Sequence, residues 1–274
     1  MHVLSYFTTD DEALHVATSP DGHHFTPLDD GAPVLRGQVG AGTLRDPFLL
    51  LGPDGLYHLL ATDGWSSPRI VHATSPDLRR WSPQRLLEPM AGVTGARNAW
   101  APEAFTDDDG VVHLLWSSVV DPDNDDHDWH HTNQEHRIWH TATRDFTEFT
   151  EPRVFFDPGY PVIDATVARA DGRYVMAFKD ERGENTPDTD HKNILLTTFT
   201  DPHGPLTEPT GPVTPSPVEG PSLFRRGDEW VLIFDHFLDD GYGALASADD
   251  MSTWEPTDIG MPPGMRHASV LVVP

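Results

Sequence analysis

Asp46, Glu103, Asp164 and Glu219 fall at steps of 57, 61 and 55 residues, and His267 follows 48 residues after the last of them. Each stands at the head of a short apolar run, such as Asp46-Pro-Phe-Leu-Leu-Leu or Glu219-Gly-Pro-Ser-Leu-Phe. If the runs converge, four carboxylates and a histidine share one small space. Crowded carboxylates push one another's pKa values apart, so one keeps its proton while another stays ionised. That division of labour is what cleavage of a glycosidic bond requires: an acid protonates the leaving oxygen while a second carboxylate activates water or attacks. At any one of these positions a carboxylate that merely ties down a loop is an equal explanation. At three or more it explains less, because a buried ring of like charge is costly unless function or a cation offsets it.

Convergence needs repeating elements, and the chain contains two alternating repeats. One is a Ser/Asp-rich turn followed by an aromatic: Thr18-Ser-Pro-Asp-Gly-His-His-Phe25, Thr74-Ser-Pro-Asp-Leu-Arg-Arg-Trp81, Ala142-Thr-Arg-Asp-Phe-Thr-Glu-Phe149 and Ser247-Ala-Asp-Asp-Met-Ser-Thr-Trp254, with a degenerate copy from Thr198. The Asp can close the turn on its own backbone, and the aromatic is expected to anchor the next strand to the core. The other repeat is strand, tight Asp-Gly or Gly-Asp turn, strand, headed by Asp46, Glu103, Asp164 and Glu219. The fifth hairpin is complete only when the chain is treated as a circle: the run from His267 is a strand with no partner after it, and Met1-His-Val-Leu-Ser-Tyr-Phe a strand with none before it. Counted through the joined termini, the closing step from His267 to Asp46 is 53 residues, in line with the others. These features predict an all-β fold, a five-bladed β-propeller closed by pairing of the N- and C-terminal strands, with residues 1–274 as a single domain. In that fold the first strand of each blade lines the central channel, and the five strand heads meet at one mouth.

Composition agrees. Of 274 residues 37% are hydrophobic, with eight Trp and thirteen Phe, enough for a sizeable core; 22 Gly and 26 Pro favour many short strands. A formal net charge of −26 disfavours nucleic acid and anionic membrane as partners and suits neutral sugars or metal cations. The absence of cysteine removes disulfides, thiol catalysis and thiolate metal sites. No stretch approaches the roughly 18 apolar residues of a membrane span. With Met1 as the natural start, the N-terminus lacks the features of a signal peptide, and a cytoplasmic location is expected.

Five short motifs, Arg45-Asp46-Pro47, Trp100-Ala101-Pro102-Glu103, Ile163-Asp164-Ala165, Val218-Glu219-Gly220-Pro221 and Arg266-His267-Ala268-Ser269-Val270, span nearly the whole chain. In this order they resemble those of the family 43 glycoside hydrolases, five-bladed propellers that act mainly on arabinofuranosides and xylosides. The resemblance implies inversion of configuration, with Asp46 as general base, Glu219 as general acid, and Asp164 orienting Glu219 and raising its pKa. It implies that Glu103 supports the site and that His267 lies near a cation or water in the channel, where calcium would suit an oxygen-rich setting. No organic cofactor is implied. Ala268 and Ala165 depart from the family's frequent Gly and Pro.

Trp65, Trp100 and Trp129 could offer flat faces to a sugar ring, Trp100 first because its motif sets it beside Glu103. Arg97, Lys179, Asp180, Asp235 and His236 flank the predicted strands and could reach sugar hydroxyls; with Trp100, Glu103 and Arg266, Asp180 and His236 are the candidate binding residues. The segment 121–136 is rich in Asp and His but lacks metal-ligand spacing and reads as a solvated loop. The expected activity is removal of one terminal α-L-arabinofuranosyl or β-D-xylosyl unit from an oligosaccharide. A β-D-galactofuranosidase, a non-catalytic sugar-binding propeller and a phosphorylase using Arg45, Arg97 and Arg266 are the competing readings.

Overall fold

The computed structural model describes residues 1–123, 134–239 and 241–273. The closing blade joins the termini: β19 (Met265–Val272) pairs antiparallel with β1 (His2–Thr8), His2 opposite Val272, and β2 (Asp11–Ser19) and β3 (Thr26–Pro27) continue the sheet. The second blade holds β4 (Arg45–Leu51), β5 (Tyr57–Thr62), β6 (Ile70–Ser75) and β7 (Arg85–Leu87). The third holds β8 (Trp100–Thr106), β9 (Val112–Ser118), β10 (Arg137–Thr143) and β11 (Arg153–Phe156), and the fourth β12 (Val162–Ala170), β13 (Arg173–Asp180) and β14 (Ile194–Phe199). The fifth holds β15 (Glu219–Arg226), β16 (Glu229–His236), β17 (Gly241–Ser247) and β18 (Glu255–Pro256). This is the all-β, five-bladed propeller that the repeats predict, closed through its termini. Among the described residues helix amounts to one short turn, Leu28–Gly31, and no helix is long and apolar enough to cross a membrane.

Alternating apolar residues give every blade two sticky faces, and each face meets its neighbour's. Five buried clusters result, one at each blade interface; Leu60, Leu87, Trp116 and Phe146 join the second and third blades, and Ala177, Leu196, Leu232 and Phe234 the fourth and fifth. The last, Leu4, Phe25, Phe224 and Ile233, seals the ring. Burying each such side chain contributes about 1.5–3 kcal/mol, and closure leaves no long open edge.

The Ser/Asp turns behave as expected, with one correction. Asp77 accepts from the Arg79 and Arg80 N–H groups, Asp145 from Thr147 and Glu148, and Asp249 from Thr253. The deeper anchor, however, is the left-handed residue that follows the Asp: Leu78, Phe146 and Met251 are buried at φ of 63°, 56° and 66°, while Trp81, Phe149 and Trp254 pack at the cluster edge. Only in the closing blade, where Gly22 occupies that place, does the later aromatic, Phe25, go fully inside.

At the turn end of two hairpins lie buried histidine chains. In the second blade Asp54 meets His58 Nε2 at 3.1 Å, His58 Nδ1 meets His72 Nε2 at 3.1 Å, and Arg85 Nε donates to His72 Nδ1 at 3.1 Å. The third blade repeats this with Asp107, His113 and His140, at 3.1 and 2.9 Å. Burial, reinforced by Arg85 and Arg153, pushes both His72 and His140 down to about 3, so both are neutral at ordinary pH.

Candidate active site

Every inner strand begins with the same irregularity. Two residues on the inner strand face one on its partner: Asp46-Pro47 in β4, Ala101-Pro102 in β8, Asp164-Ala165 in β12, Gly220-Pro221 in β15 and His267-Ala268 in β19. The first residue of each bulge is left-handed, with φ of 48°, 45°, 57°, 53° and 40° in that order. For a side-chain-bearing residue such a conformation costs about 1–3 kcal/mol and persists only where surroundings enforce it. Gly220 suits its place on two counts, since a Cβ there would lie a tight 3.1 Å from His267 Cγ as well as at unfavourable φ.

The bulge register corrects the expectation that all five chemical residues occupy equivalent positions. Asp46, Asp164 and His267 are equivalent, each heading its bulge. Glu219 stands one residue earlier, level with Arg45, Trp100 and Arg266, and Glu103 two residues later, level with Phe48, Thr166 and Ser269. Pro47, Pro102 and Pro221, one place after the left-handed residue, mark this register in the sequence.

The bulges are latched blade to blade. Opposite the position before each bulge lie Thr62, Ser117, Lys179, Asp235 and Phe7. The Ala101 N–H donates to Thr62 Oγ1 at 2.8 Å, the Asp164 N–H to Ser117 Oγ at 3.1 Å, and the His267 N–H to Asp235 Oδ2 at 3.0 Å. Each latch ties the irregular backbone of one blade to the second strand of the blade before it. None of these partners except Asp235 and Lys179 was a sequence candidate; their shared strand-end position was the available signal.

The chemical groups do meet. Thr62 Oγ1 donates to Asp46 Oδ2 at 2.7 Å, and His267 Nδ1 lies 3.4 Å from Asp46 Oδ1. Glu219 is held by Lys179 Nζ at 3.0 Å and by the Arg266 guanidinium at 3.3 Å, and Arg266 Nε also donates to Asp235 at 2.7 Å. Asp164 Oδ2 accepts from the Gly220 N–H at 3.1 Å, beside Glu219 in sequence. Asp46 and Glu219 keep 12% and 23% of their side-chain surface exposed, whereas Asp164 and Glu103 are buried. Two carboxylates thus reach solvent and two lie beneath.

Their electrostatics diverge. Burial raises Glu103 to about 8, against a hydrogen bond from Thr166 and the charge of His267. Burial and the charge of Glu219 raise Asp164 to about 6, opposed by His267 and Lys179. Glu219 moves the other way: burial opposes its ionisation, but Lys179, His267 and Arg266 together hold it below the usual range. Burial also opposes the charged form of His267, yet Asp46, Asp164 and Glu219 outweigh it and raise the ring.

The remaining candidates divide. Arg266 is part of the cluster. Trp100 borders it, donating its Nε1–H to the Trp65 carbonyl at 2.9 Å, with the two rings edge to face at 5.4 Å. Trp65, at 55% exposed, also carries the Arg45 guanidinium over its ring at 4.8 Å. His236 stands at the end of β16, its ring edge-on to Phe234 at 5.4 Å. Asp180, expected to bind sugar, instead has its carboxylate occupied by Arg182 at 2.7 Å and His191 at 3.2 Å, bracing the loop after β13. Arg97 donates to the Asp121 carbonyl. Trp129 lies outside the described residues. The fit of a calcium ion beside His267 is poor: the ring faces Asp46, and among the described residues no three His, Asp or Glu side chains are grouped to hold a metal.

A five-bladed propeller with an acidic hub at one mouth defines the class, that of propeller hydrolases acting on sugars. The chain belongs to the glycosyl hydrolases related to family 43: residues 1–274 match that family, described as a probable glycosyl hydrolase domain. It is 28% identical to an α-L-arabinofuranosidase of Bifidobacterium longum over 89% of its own length, and spans only 27% of that relative. Its fold is similar to that of an α-L-arabinofuranosidase from Clostridium thermocellum (TM-score 0.66, 13% identity, 90% of this chain and 84% of that one). It is also similar to an endo-1,4-β-xylanase from Bacteroides thetaiotaomicron (TM-score 0.65, 14% identity, 93% and 91%).

Proposed function

We propose that this chain hydrolyses glycosides by single-step inversion, releasing one terminal pentose from an oligosaccharide, α-L-arabinofuranose before β-D-xylose. The observation that carries the reading is the meeting of Asp46, Asp164 and Glu219, from three separate blades, with only the first and last open to solvent. The name of the Bifidobacterium relative favours arabinofuranose as the sugar.

Asp46 is the general base. Its carboxylate, steadied by the Thr62 hydroxyl and the His267 ring, takes a proton from the attacking water. Glu219 is the general acid and delivers a proton to the leaving oxygen. Asp164 orients Glu219 through the Gly220 N–H and, at about 6, holds a proton near it. Because Lys179 and Arg266 favour ionised Glu219, its loaded form is populated at acid pH, and turnover is expected to fall as pH rises toward neutrality.

The test is a panel of nitrophenyl glycosides followed by proton NMR of the first anomer released. An α-linked arabinofuranoside should yield the β-anomer first. Release of the α-anomer overturns inversion, and sugar binding without release from any member identifies a non-catalytic propeller.

A further inference from the structure

At the strand position where Thr62, Ser117 and Asp235 supply hydrogen-bond acceptors, β13 carries a lysine. An ammonium has three donors and no acceptor, so Lys179 cannot latch the next blade. The Gly220 N–H goes to Asp164 instead, and Lys179 Nζ turns to two carboxylates, Glu219 at 3.0 Å and Glu181 at 2.9 Å, with the Phe237 ring 4.6 Å away. Lys179 is 2% exposed. Lys192 Nζ holds the other oxygen of Glu181 at 2.8 Å. Charges therefore alternate along one file, Lys192, Glu181, Lys179, Glu219, Arg266 and Asp235.

A lysine needed only for packing could pair with Glu181 and leave Glu219 alone. Here its second partner is the carboxylate that must gain and lose a proton. We propose that Lys179 is a positioning residue that aims the Glu219 carboxylate and sets the pH range over which it carries its proton. The proposal rests on the reading of Glu219 as proton donor. Protonating Glu219 removes one partner of a buried ammonium, and that loss opposes protonation. Glu219 also faces Arg266 and His267 of β19, Asp164 of β12, Asp235 of β16 and, at longer range, Lys192 just before β14 and Tyr242 of β17. Both Lys179 and Arg266 are shared with a second carboxylate, but Lys179 lies nearer to Glu219, at 3.0 Å against 3.3 Å, and is the stronger cationic influence on it.

Two measurements on the full chain test this. The titration of Glu219 is followed by carbon-13 NMR of labelled glutamate, assigned by its disappearance in Glu219→Gln. The pH profile of kcat/KM is recorded with an arabinofuranoside bearing a poor leaving group, which depends on the acid. In Lys179→Gln both the Glu219 titration and the basic limb should move up by about one to three pH units, and Lys179→Arg should return both toward the starting values. Glu181→Gln, which leaves the ammonium to Glu219 alone, should move them down. A uniform fall in kcat with unmoved titration and limbs overturns the proposal. Should Lys179→Gln melt, the double variant Lys179→Gln/Glu181→Gln removes one charge of each sign and carries a smaller upward expectation, since Lys179 lies against Glu219 and Glu181 does not. Full turnover in Glu219→Gln would sink the proton-donor reading by itself, while the NMR titration still decides what Lys179 does to Glu219.

Discussion

The turn ends of the second- and third-blade hairpins and the mouth of the ring treat buried ionisable groups in opposite ways. At the turn end, histidine chains pass hydrogen bonds between neutral rings: His72 and His140, at about 3, resist charging. At the mouth, charged groups of both signs are packed on left-handed bulges, and Asp164 and Glu219 are driven in opposite directions. Neutral hydrogen-bonded chains avoid most of the desolvation that a buried ion incurs. A hub of ions makes sense only where charge must change. The turn ends hold the blades together, and the mouth, under the proposed function, moves protons.

The largest test of that contrast is Asp46→Asn. Loss of a general base should lower kcat by about 10²- to 10⁴-fold, while the melting temperature, measured by calorimetry, stays close to that of the parent. A melting loss as marked as the loss of turnover would make the hub structural. The converse substitution, His140→Ala, removes the partner of His113 Nδ1. Leaving that buried group unpaired should cost about 1–3 kcal/mol in urea unfolding, with turnover per folded molecule unchanged. Reduced kcat in the folded fraction would show that the far end does communicate with the mouth.

The ring was legible because its cause is periodic. Hairpin turns and Ser/Asp turns recur with each blade, and closure through the termini follows from one unpaired run at each end. Asp46, Asp164 and Glu219 were legible as members of one hub for the same reason. What escaped depends on register rather than period. A bulge shifts Glu219 by one residue and Glu103 by two, and no residue type announces a bulge unless the prolines at 47, 102 and 221 are aligned first. Lys179 and Asp180 show the limit most clearly. They are adjacent at one strand end, yet alternation sends Lys179 to the hub and Asp180 to Arg182. The histidine chains needed diagonal contacts between neighbouring strands, which the spacing of His58 from His72 does not reveal.

The pH dependence of stability separates the two ends further. His72 and His140 have folded pKa values below the unfolded value of about 6.5. The unfolded chain binds more protons there, so their contribution is complete above pH 6.5 and is lost as pH falls toward 3. Glu103 has the opposite sign: its folded value, about 8, lies above the ordinary 4.5. Its contribution is complete below 4.5 and is lost as pH rises through 8. The melting temperature should therefore fall on both sides, the histidine chains and Glu219 contributing to the acid arm and Glu103 to the alkaline one. Glu103→Gln isolates the second arm. Glutamine mimics a carboxyl that keeps its proton, so below pH 4.5, where Glu103 is protonated in the folded and the unfolded parent alike, the melting temperature should change little, by the equivalent of less than about 1 kcal/mol. From pH 4.5 to 8 the variant should melt progressively higher than the parent, because it has no carboxyl whose ionisation favours the unfolded chain. An alkaline arm of unchanged slope in Glu103→Gln would assign that loss of stability to groups outside the hub.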